Sequence, residues 1–270
     1  MPEGPEVRVV ADQLATILVG RYIVGISLGA RPFQQGLHLI PRCTKIIAVT
    51  AYAKRIIFGL SNGGYIISFL GMEGKFTWEK DKHTSVVLHL GYKLDRFIVA
   101  DLDLYYDNSR PIGYVNYYPD MQGALTCFLN IGIDILINEI DSESFNAMLR
   151  KKSGLNRKLC VFLLDQKYLA GIGNYLRCEI MYHARLRPDR TLGSLSDDDI
   201  ERLRLMAHYI IREAYKAGGL TISSFWAPDG SKGMFARQVY DRDTDFYGNQ
   251  VVREQFDSDR TVHWVPAVQV

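Results

Sequence analysis

Ala170-Gly171-Ile172-Gly173-Asn174-Tyr175 is the stretch on which the reading of this 270-residue chain turns. Two glycines one residue apart let the backbone turn tightly, and the spacing that follows through Ala184 is helical. A glycine turn opening a helix aims unpaired N–H groups outward at the positive end of the helix dipole, an arrangement suited to phosphate. Many ordinary turns share the Gly-x-Gly pattern, so its meaning rests on the surrounding sequence.

Helical periodicity surrounds it. Ser142–Lys151, Asn156–Leu164, Ile172–Ala184 and Ser196–Ala217 are the candidate helices. The last has Ser196 as N-cap and Asp199 at the capping-box position, so the acids Asp197, Asp198 and Asp199 read as a capped helix start, not a metal site. Gly218-Gly219 ends it. From Met234 onward two short strands are expected, Arg237–Arg242 and Val251–Phe256, joined around Tyr247-Gly248-Asn249.

The first half differs. Val7, Val10, Ala11, Leu14 and Leu18 recur at helical spacing over Pro5–Leu18. Short β-rich runs then extend from Tyr22 to about Val115: Lys45–Thr50, Arg55–Leu60, Tyr65–Leu70, Ser85–Leu90 and Phe97–Ala100, with Asn62-Gly63-Gly64 as a hairpin turn. Runs so spaced indicate an antiparallel sandwich or barrel. The fold class is α+β: an N-terminal helix and antiparallel β-sandwich to residue 118, a helical part over 122–232, and a terminal hairpin over 233–270.

Composition sets outer bounds. The hydrophobic content of 47% supports a folded core, and 32 basic against 30 acidic residues leave a formal charge of +2, too even to name a nucleic-acid partner. Cys43, Cys127, Cys160 and Cys178 form no Cys-x-x-Cys pair and are expected to be buried or semi-buried free thiols. No apolar stretch reaches membrane-spanning length and the N-terminus lacks signal-peptide character, so a soluble intracellular protein is expected.

The chain opens Met1-Pro2-Glu3-Gly4-Pro5-Glu6. A small second residue favours removal of Met1, which frees the secondary amine of Pro2. α-Amino groups titrate at roughly 8, so part of this amine is unprotonated near neutrality. Its attack on a sugar C1′ gives an iminium, an electron sink, and Glu3 and Glu6 are carboxylates suited to the proton transfers. Many chains begin Met-Pro-Glu without such chemistry, and Pro5 suits a first helical turn for purely structural reasons.

Taken together, these segments resemble the formamidopyrimidine-DNA glycosylase/endonuclease VIII family. Met1-Pro-Glu-Gly-Pro-Glu-Val7 is similar to the family's opening, with Gly4 favouring the endonuclease VIII branch. Ala53-Lys54-Arg55-Ile56-Ile57-Phe58 resembles its lysine-bearing strand, with Ala53 where glycine is usual, and Phe69-Leu70-Gly71-Met72-Glu73-Gly74 resembles the following loop. Leu164-Asp165-Gln166-Lys167, Ala170 through Tyr175, Glu179, Ala184 and Pro188 match its helix–two-turn–helix signature, and Gly218–Thr221 and Gly233–Tyr240 continue the match.

The resemblance implies a bifunctional DNA glycosylase/AP lyase of base excision repair. Pro2 is then the nucleophile, Glu3 the acid/base of sugar opening and β,δ-elimination, Glu6 a support, and Lys54 a bridge to a DNA phosphate. Gly173 and Asn174 hold phosphates. Met72, Arg110 and Ile112 fill the gap left by the everted nucleotide, although Asn108-Ser109-Arg110-Pro111-Ile112-Gly113 departs from the usual Arg-Arg-Phe-Gly and replaces an aromatic by Ile112. Most relatives end in a four-cysteine zinc finger, and here no cysteine follows Cys178. Thr261-Val262-His263-Trp264-Val265-Pro266-Ala267 is similar to the zincless finger of some endonuclease VIII-like enzymes, with Arg260, beside Asp259, as the minor-groove residue. Tyr240, Phe256 and Trp264 are candidates to pack it, and His263 has no partner for metal binding. No metal and no cofactor are expected. The expected partner is double-stranded DNA carrying a damaged base or abasic site, with single-stranded DNA a second candidate, and the expected state is a monomer.

Within the resemblance, Gly4 and the finger favour oxidised pyrimidines and ring-opened or hydantoin lesions over 8-oxoguanine, and the Ala227–Lys232 region is short for the loop that would hold an everted 8-oxoguanine. A catalytically inactive damaged-DNA-binding protein of the same fold would lose Pro2, Glu3 or Lys54, and all three are present. A β-barrel protein binding some other phosphate gives no reason for Pro-Glu at the extreme N-terminus.

Overall fold

The computed structural model describes residues 1–29, 34–110, 112–221, 227–256 and 260–270. They form two units: residues 1–2, 6–129 and 221–233, and residues 3–5, 130–220 and 234–270.

In the first unit helix α1, Gly4–Leu18, buries Val7, Val10, Ala11, Leu14 and Leu18, the five positions its periodicity marked. Eight strands follow: β1 Tyr22–Leu28, β2 Thr44–Tyr52, β3 Arg55–Leu60, β4 Tyr65–Phe69, β5 Lys75–Thr77, β6 Thr84–Leu94, β7 Phe97–Asp107 and β8 Tyr114–Tyr118. They pair in the order β5-β7-β6-β1-β2-β3-β4-β8, antiparallel throughout. The sheet folds back on itself as a sandwich. Phe76 of β5 packs on Phe58 of β3 with ring centroids 5.7 Å apart, and the Tyr106 hydroxyl of β7 donates to the Phe69 carbonyl of β4 at 3.1 Å. Register shifts at Ile23/Gly25, Ile46/Ala48 and Leu90/Gly91 are bulges of the kind that bend a sheet. Helix α2, Met121–Leu125, follows β8. The segment 227–233 returns to this unit, where Gln13 of α1 donates to Asp229 at 3.0 Å.

The β2–β3 hairpin corrects one expectation. Lys54 is not in a strand; Ala53 and Lys54 are the two central residues of the turn, with Tyr52 and Arg55 as the last pair. Ala53 has φ 54° while Lys54 is not at positive φ, the sign pattern of a type II′ turn, which favours glycine at its first central position.

The second unit is mainly helical. A short parallel pair joins β9, Ile133–Asp134, to β10, Leu169–Ala170. Helices α3, Ser142–Leu149, and α4, Leu159–Leu164, precede α5, Asn174–His183, and α6, Asp197–Lys216. Helix α5 is buried on every face from Tyr175 to Tyr182. The capping box of α6 is present as expected, with Ser196 accepting from the Asp199 N–H and the Asp199 carboxylate accepting from the Ser196 N–H. Helix α4 starts at Leu159, later than Asn156, because the preceding residues hold a 3₁₀ turn over Lys152–Gly154 and Lys158 bridges to Thr191.

The terminal hairpin is also shifted. Arg237–Arg242 forms no strand, because the N–H groups of Gln238, Val239 and Tyr240 all donate to the Glu179 carboxylate, at 2.8, 3.0 and 2.8 Å. Donors spent on one carboxylate cannot alternate along a ladder. The hairpin pairs β11, Val252–Glu254, with β12, Val262–Trp264. Among the cysteines, Cys160 and Cys178 are buried and Cys127 is half-buried, but Cys43 is exposed, contrary to expectation, in a left-handed turn at φ 63°.

Ala53→Gly relieves a left-handed conformation costing roughly 1–2 kcal/mol and gives back roughly 0.4–1 kcal/mol in unfolded-state entropy. A net stabilisation of about 0.5–1 kcal/mol is expected, read as a raised urea midpoint at unchanged slope. An unchanged or lowered midpoint would contradict the strain assigned to this turn.

Candidate functional site

Glu3 is the most heavily engaged of the residues singled out. It is buried, and its carboxylate accepts from the backbone N–H groups of Gly173 at 2.6 Å, Tyr175 at 3.0 Å and Leu176 at 3.3 Å. A charged acceptor at a helix N-terminus is favoured twice, by the orphan N–H groups and by the helix dipole. Gly173 is the N-cap of α5 and supplies no side-chain cap; Glu3 does so from far along the chain. A Cβ on Gly173 would overlap the Glu3 carboxyl carbon, and one on Gly4 would come within 3.2 Å of Gly171, whose carbonyl accepts the Gly4 N–H at 2.9 Å. The glycines thus admit a carboxylate of the protein itself. This corrects the expectation that the N–H groups opening this helix stand unpaired for a phosphate.

Asn174 is also engaged. Its amide donates to the Thr261 carbonyl at 3.0 Å, while its Oδ1 is buried with no hydrogen-bond partner.

In the first unit Pro2, Glu6 and Lys54 are all buried, Glu6 completely and Lys54 at 7% exposure. Glu6 lies in the first turn of α1, at its positive end. Met72, Arg110 and Ile112 are exposed, so Met72 is not a core methionine. The structure brings these three together. Arg110 pairs with Glu73 at 2.9 Å and its guanidinium lies 3.9 Å from the Met72 sulfur. Ser109 donates to the same Glu73, and the two loops meet at Gly71, where a Cβ would lie 2.8 Å from the Gly113 nitrogen and 3.1 Å from the Ile112 carbonyl carbon. Pro111 between them lies outside the described residues, as do 222–226 and Asp259.

Arg260 is exposed, but its backbone is held from α5. Arg177, fully buried, donates to the Arg260 carbonyl and to the Cys160 carbonyl, each at 3.0 Å. One turn of helix therefore fixes three consecutive parts of the finger: Asn174 takes the Thr261 carbonyl, Arg177 the Arg260 carbonyl, and the Cys178 sulfur the His263 N–H at 3.3 Å. Sequence reasoning missed Arg177. Its signal was the pair Arg177 and Glu179 set among Tyr175, Leu176, Cys178, Ile180 and Met181, where charges require partners if the helix is buried. Glu179, pushed up by burial and held down by its three N–H donors, ties residues 238–240 to the same helix.

The terminal hairpin has no cysteine, since none follows Cys178, and the described residues contain no group of three or more His, Cys, Asp or Glu placed to hold a metal. What fills it is packing. Val251, Val262 and Trp264 are buried, the Trp264 indole donates to Glu254 at 3.1 Å, and Tyr240 stacks on His263 with centroids 5.0 Å apart. Phe256 lies beneath the Lys158 ammonium, 5.9 Å from its ring. His263 is drawn into this packing, its Nδ1 accepting from the Asp241 N–H at 3.0 Å.

Family models match in two stretches: the formamidopyrimidine-DNA glycosylase N-terminal domain over residues 1–115, and the formamidopyrimidine-DNA glycosylase H2TH domain over 131–225. A formamidopyrimidine-DNA glycosylase of Methylobacterium nodulans is 32% identical, over 90% of this chain and 89% of its own. One of an Exiguobacterium species is 30% identical, over 89% and 87%. Among solved structures, MutM (Fpg) of Thermus thermophilus superposes with a TM-score of 0.87 at 27% identity, covering 99% of this chain and 98% of its own. A Lactococcus lactis Fpg mutant in complex with Fapy-dG-containing DNA gives 0.87 at 26%, covering 99% of each. The chain belongs to the formamidopyrimidine-DNA glycosylase/endonuclease VIII family.

Two outcomes are expected from these contacts. Arg177→Met leaves the buried Cys160 carbonyl and the part-buried Arg260 carbonyl without their charged donor, a loss of about 2–4 kcal/mol, and should speed amide exchange around residues 260–263. A loss below about 1 kcal/mol would show that the hairpin does not depend on Arg177. The second concerns pH. His263 accepts from Asp241, and His208 accepts the Ile140 N–H at 3.3 Å; both rings must be neutral on that nitrogen, and burial holds both below the ordinary histidine value of 6.5. Their stabilisation is complete above the unfolded value and falls as pH drops from 6.5 through the lower folded values. The urea midpoint should fall between about pH 7.5 and 5.5, and fall less in His208→Asn and His263→Asn; equal falls in all three proteins would contradict it.

Proposed function

We propose that this protein is a bifunctional DNA glycosylase and AP lyase of base excision repair, acting through the amine of Pro2. The observation that carries the reading is the Glu3 carboxylate seated on three amides of the α5 N-terminus, which anchors the residue that follows the amine. After removal of Met1 the Pro2 nitrogen attacks C1′ of the damaged nucleotide, and the glycosidic bond breaks as the base departs. The resulting iminium draws electrons from C2′, so the 3′ and then the 5′ phosphate leave by β,δ-elimination. Glu3 protonates the opening sugar and carries protons in the later steps. Glu6 supports the site, and Lys54 bridges to a phosphate beside the lesion.

Of the two residues expected to hold phosphate at the start of α5, Gly173 gives its N–H to Glu3, which leaves Asn174. Since the neighbouring amides carry Glu3, the phosphate contact falls to Asn174, whose amide would pass from the Thr261 carbonyl to DNA. Arg260 enters the minor groove from the zincless finger, and Met72, Arg110 and Ile112 fill the space left by the extruded nucleotide; their exposure and mutual contact support this. The proposed division is catalytic over 1–118, helix–two-turn–helix over 122–232, and finger over 233–270. The endonuclease VIII branch is read from Gly4 and from the finger without zinc donors, and with it a preference for oxidised pyrimidines and hydantoins. Relatives in complexes contain Fapy-dG or THF in their DNA, and damaged or abasic duplex is the partner proposed here for a monomeric enzyme, with single-stranded DNA a second substrate. No described helix is long and apolar enough to cross a membrane.

Borohydride trapping on DNA with an abasic site tests this. The wild type should give a covalent adduct, lost in Pro2→Gly or when an N-terminal extension is retained. No adduct from protein lacking Met1 would overturn the lyase reading, and an adduct surviving the block would move the nucleophile to a lysine, Lys54 first.

A further inference from the structure

Ser27, His89 and Asp103 stand in a row across three strands on one face of the first unit's sheet. His89 of β6 lies opposite Gly25 of β1 and opposite Asp103 of β7, and Ser27 is two residues along β1 on the same face. The Ser27 Oγ is 2.8 Å from His89 Nε2, and His89 Nδ1 is 2.7 Å from Asp103 Oδ1. A carboxylate only accepts, so Nδ1 carries the proton and Nε2 is left as the acceptor of the serine hydroxyl. The Tyr105 hydroxyl donates to the other carboxylate oxygen at 3.1 Å and fixes its orientation. Gly25 leaves room for the imidazole: a Cβ there would meet His89 Cδ2 at 3.3 Å. His89 is also a wall of a cavity of about 460 Å³, whose other walls include apolar Ile26, Leu37 and Ile40 and the basic side chains His38 and Arg42.

We propose that Ser27, His89 and Asp103 form a second, acyl-transfer site, with Ser27 as a nucleophile toward small carboxylic esters. The constellation has the reach and order of a nucleophile–base–orienter triad, which is recognised by geometry and not by fold. Ser27 Oγ attacks the ester carbonyl carbon as its proton passes to His89 Nε2. The carbon–oxygen bond to the alcohol breaks, and His89 returns that proton to the departing oxygen. Water then attacks the acyl-serine, again giving its proton to His89, and the acid leaves as Ser27 regains its hydroxyl. One ester and one water give one acid and one alcohol. Ser27 is exposed, so an ester can reach it.

The reading is independent of the Pro2 chemistry and is tested apart from it. Purified protein is treated with a fluorophosphonate probe and the modified peptide mapped by mass spectrometry; hydrolysis of p-nitrophenyl acetate is followed in parallel. Labelling at Ser27 is expected, with His89→Gln and Asp103→Asn slowing it by at least tenfold and Ser27→Ala reducing ester hydrolysis by roughly 10²-fold. Borohydride trapping on abasic DNA should be unchanged in all three variants, which also shows that they are folded. Wild-type protein unlabelled at Ser27 would overturn the proposal without recourse to any variant. So would labelling that His89→Gln leaves at full rate, since the row would then be only a cross-strand hydrogen-bond chain.

Discussion

A single carboxylate organises the second unit. Glu3 is removed from solvent, and an isolated buried charge would cost several kcal/mol; three backbone N–H groups at the positive end of α5 offset that cost. Much else follows from fitting it there. Gly173 has no side chain because the carboxyl group occupies its Cβ position, and Gly4 has none because the chain runs against Gly171. With its first turn capped by a charge, α5 can lie buried on all sides and still keep its amides paired.

The same helix then anchors the terminal hairpin, in which no cysteine follows Cys178. A structural zinc ties four side chains to one point. Here the finger is tied at several weaker points, by the Arg177 guanidinium, the Asn174 amide, the Cys178 sulfur and the Glu179 carboxylate. Burying an arginine and a glutamate in one helix is tolerated because each faces backbone groups of the segments it holds, carbonyls for one and N–H groups for the other. The charge complementarity is with main chain, which leaves side chains such as Val239, Tyr240, Val262 and His263 for packing.

Patterns of period 3.6 and 2 located α1, α6 and the strands of the sandwich, because each of these elements has one face in water and one in a core. The Ser196–Asp199 box was legible for a similar reason: it is settled by residues three apart. What was not legible depends on distant partners. Residues 237–242 carry strand-like composition, yet Glu179 takes their N–H groups from 59 to 61 positions away. The glycine turn before Asn174 suits an anion, but the amides expected to face a phosphate hold a carboxylate of the same protein. Ala53-Lys54 was placed in a strand because alanine gives no turn signal, although it occupies a position suited to glycine. The row formed by Ser27, His89 and Asp103 needs strand register, which short apolar runs do not reveal.

The bond between Glu3 and Gly173 spans 170 positions, and this sets an order of events during synthesis. Glu3 is synthesised long before the amides of Gly173, Tyr175 and Leu176 that hold it. At elongation rates of roughly 5–20 residues per second the wait is roughly 10–30 s. Throughout that interval the Glu3 carboxylate lacks the three amides that hold it in the finished fold. Afterwards Pro2, Glu3 and Gly4 are all buried. The long reach of one hydrogen bond therefore puts the final seating of Glu3 behind the synthesis of the helix that holds it.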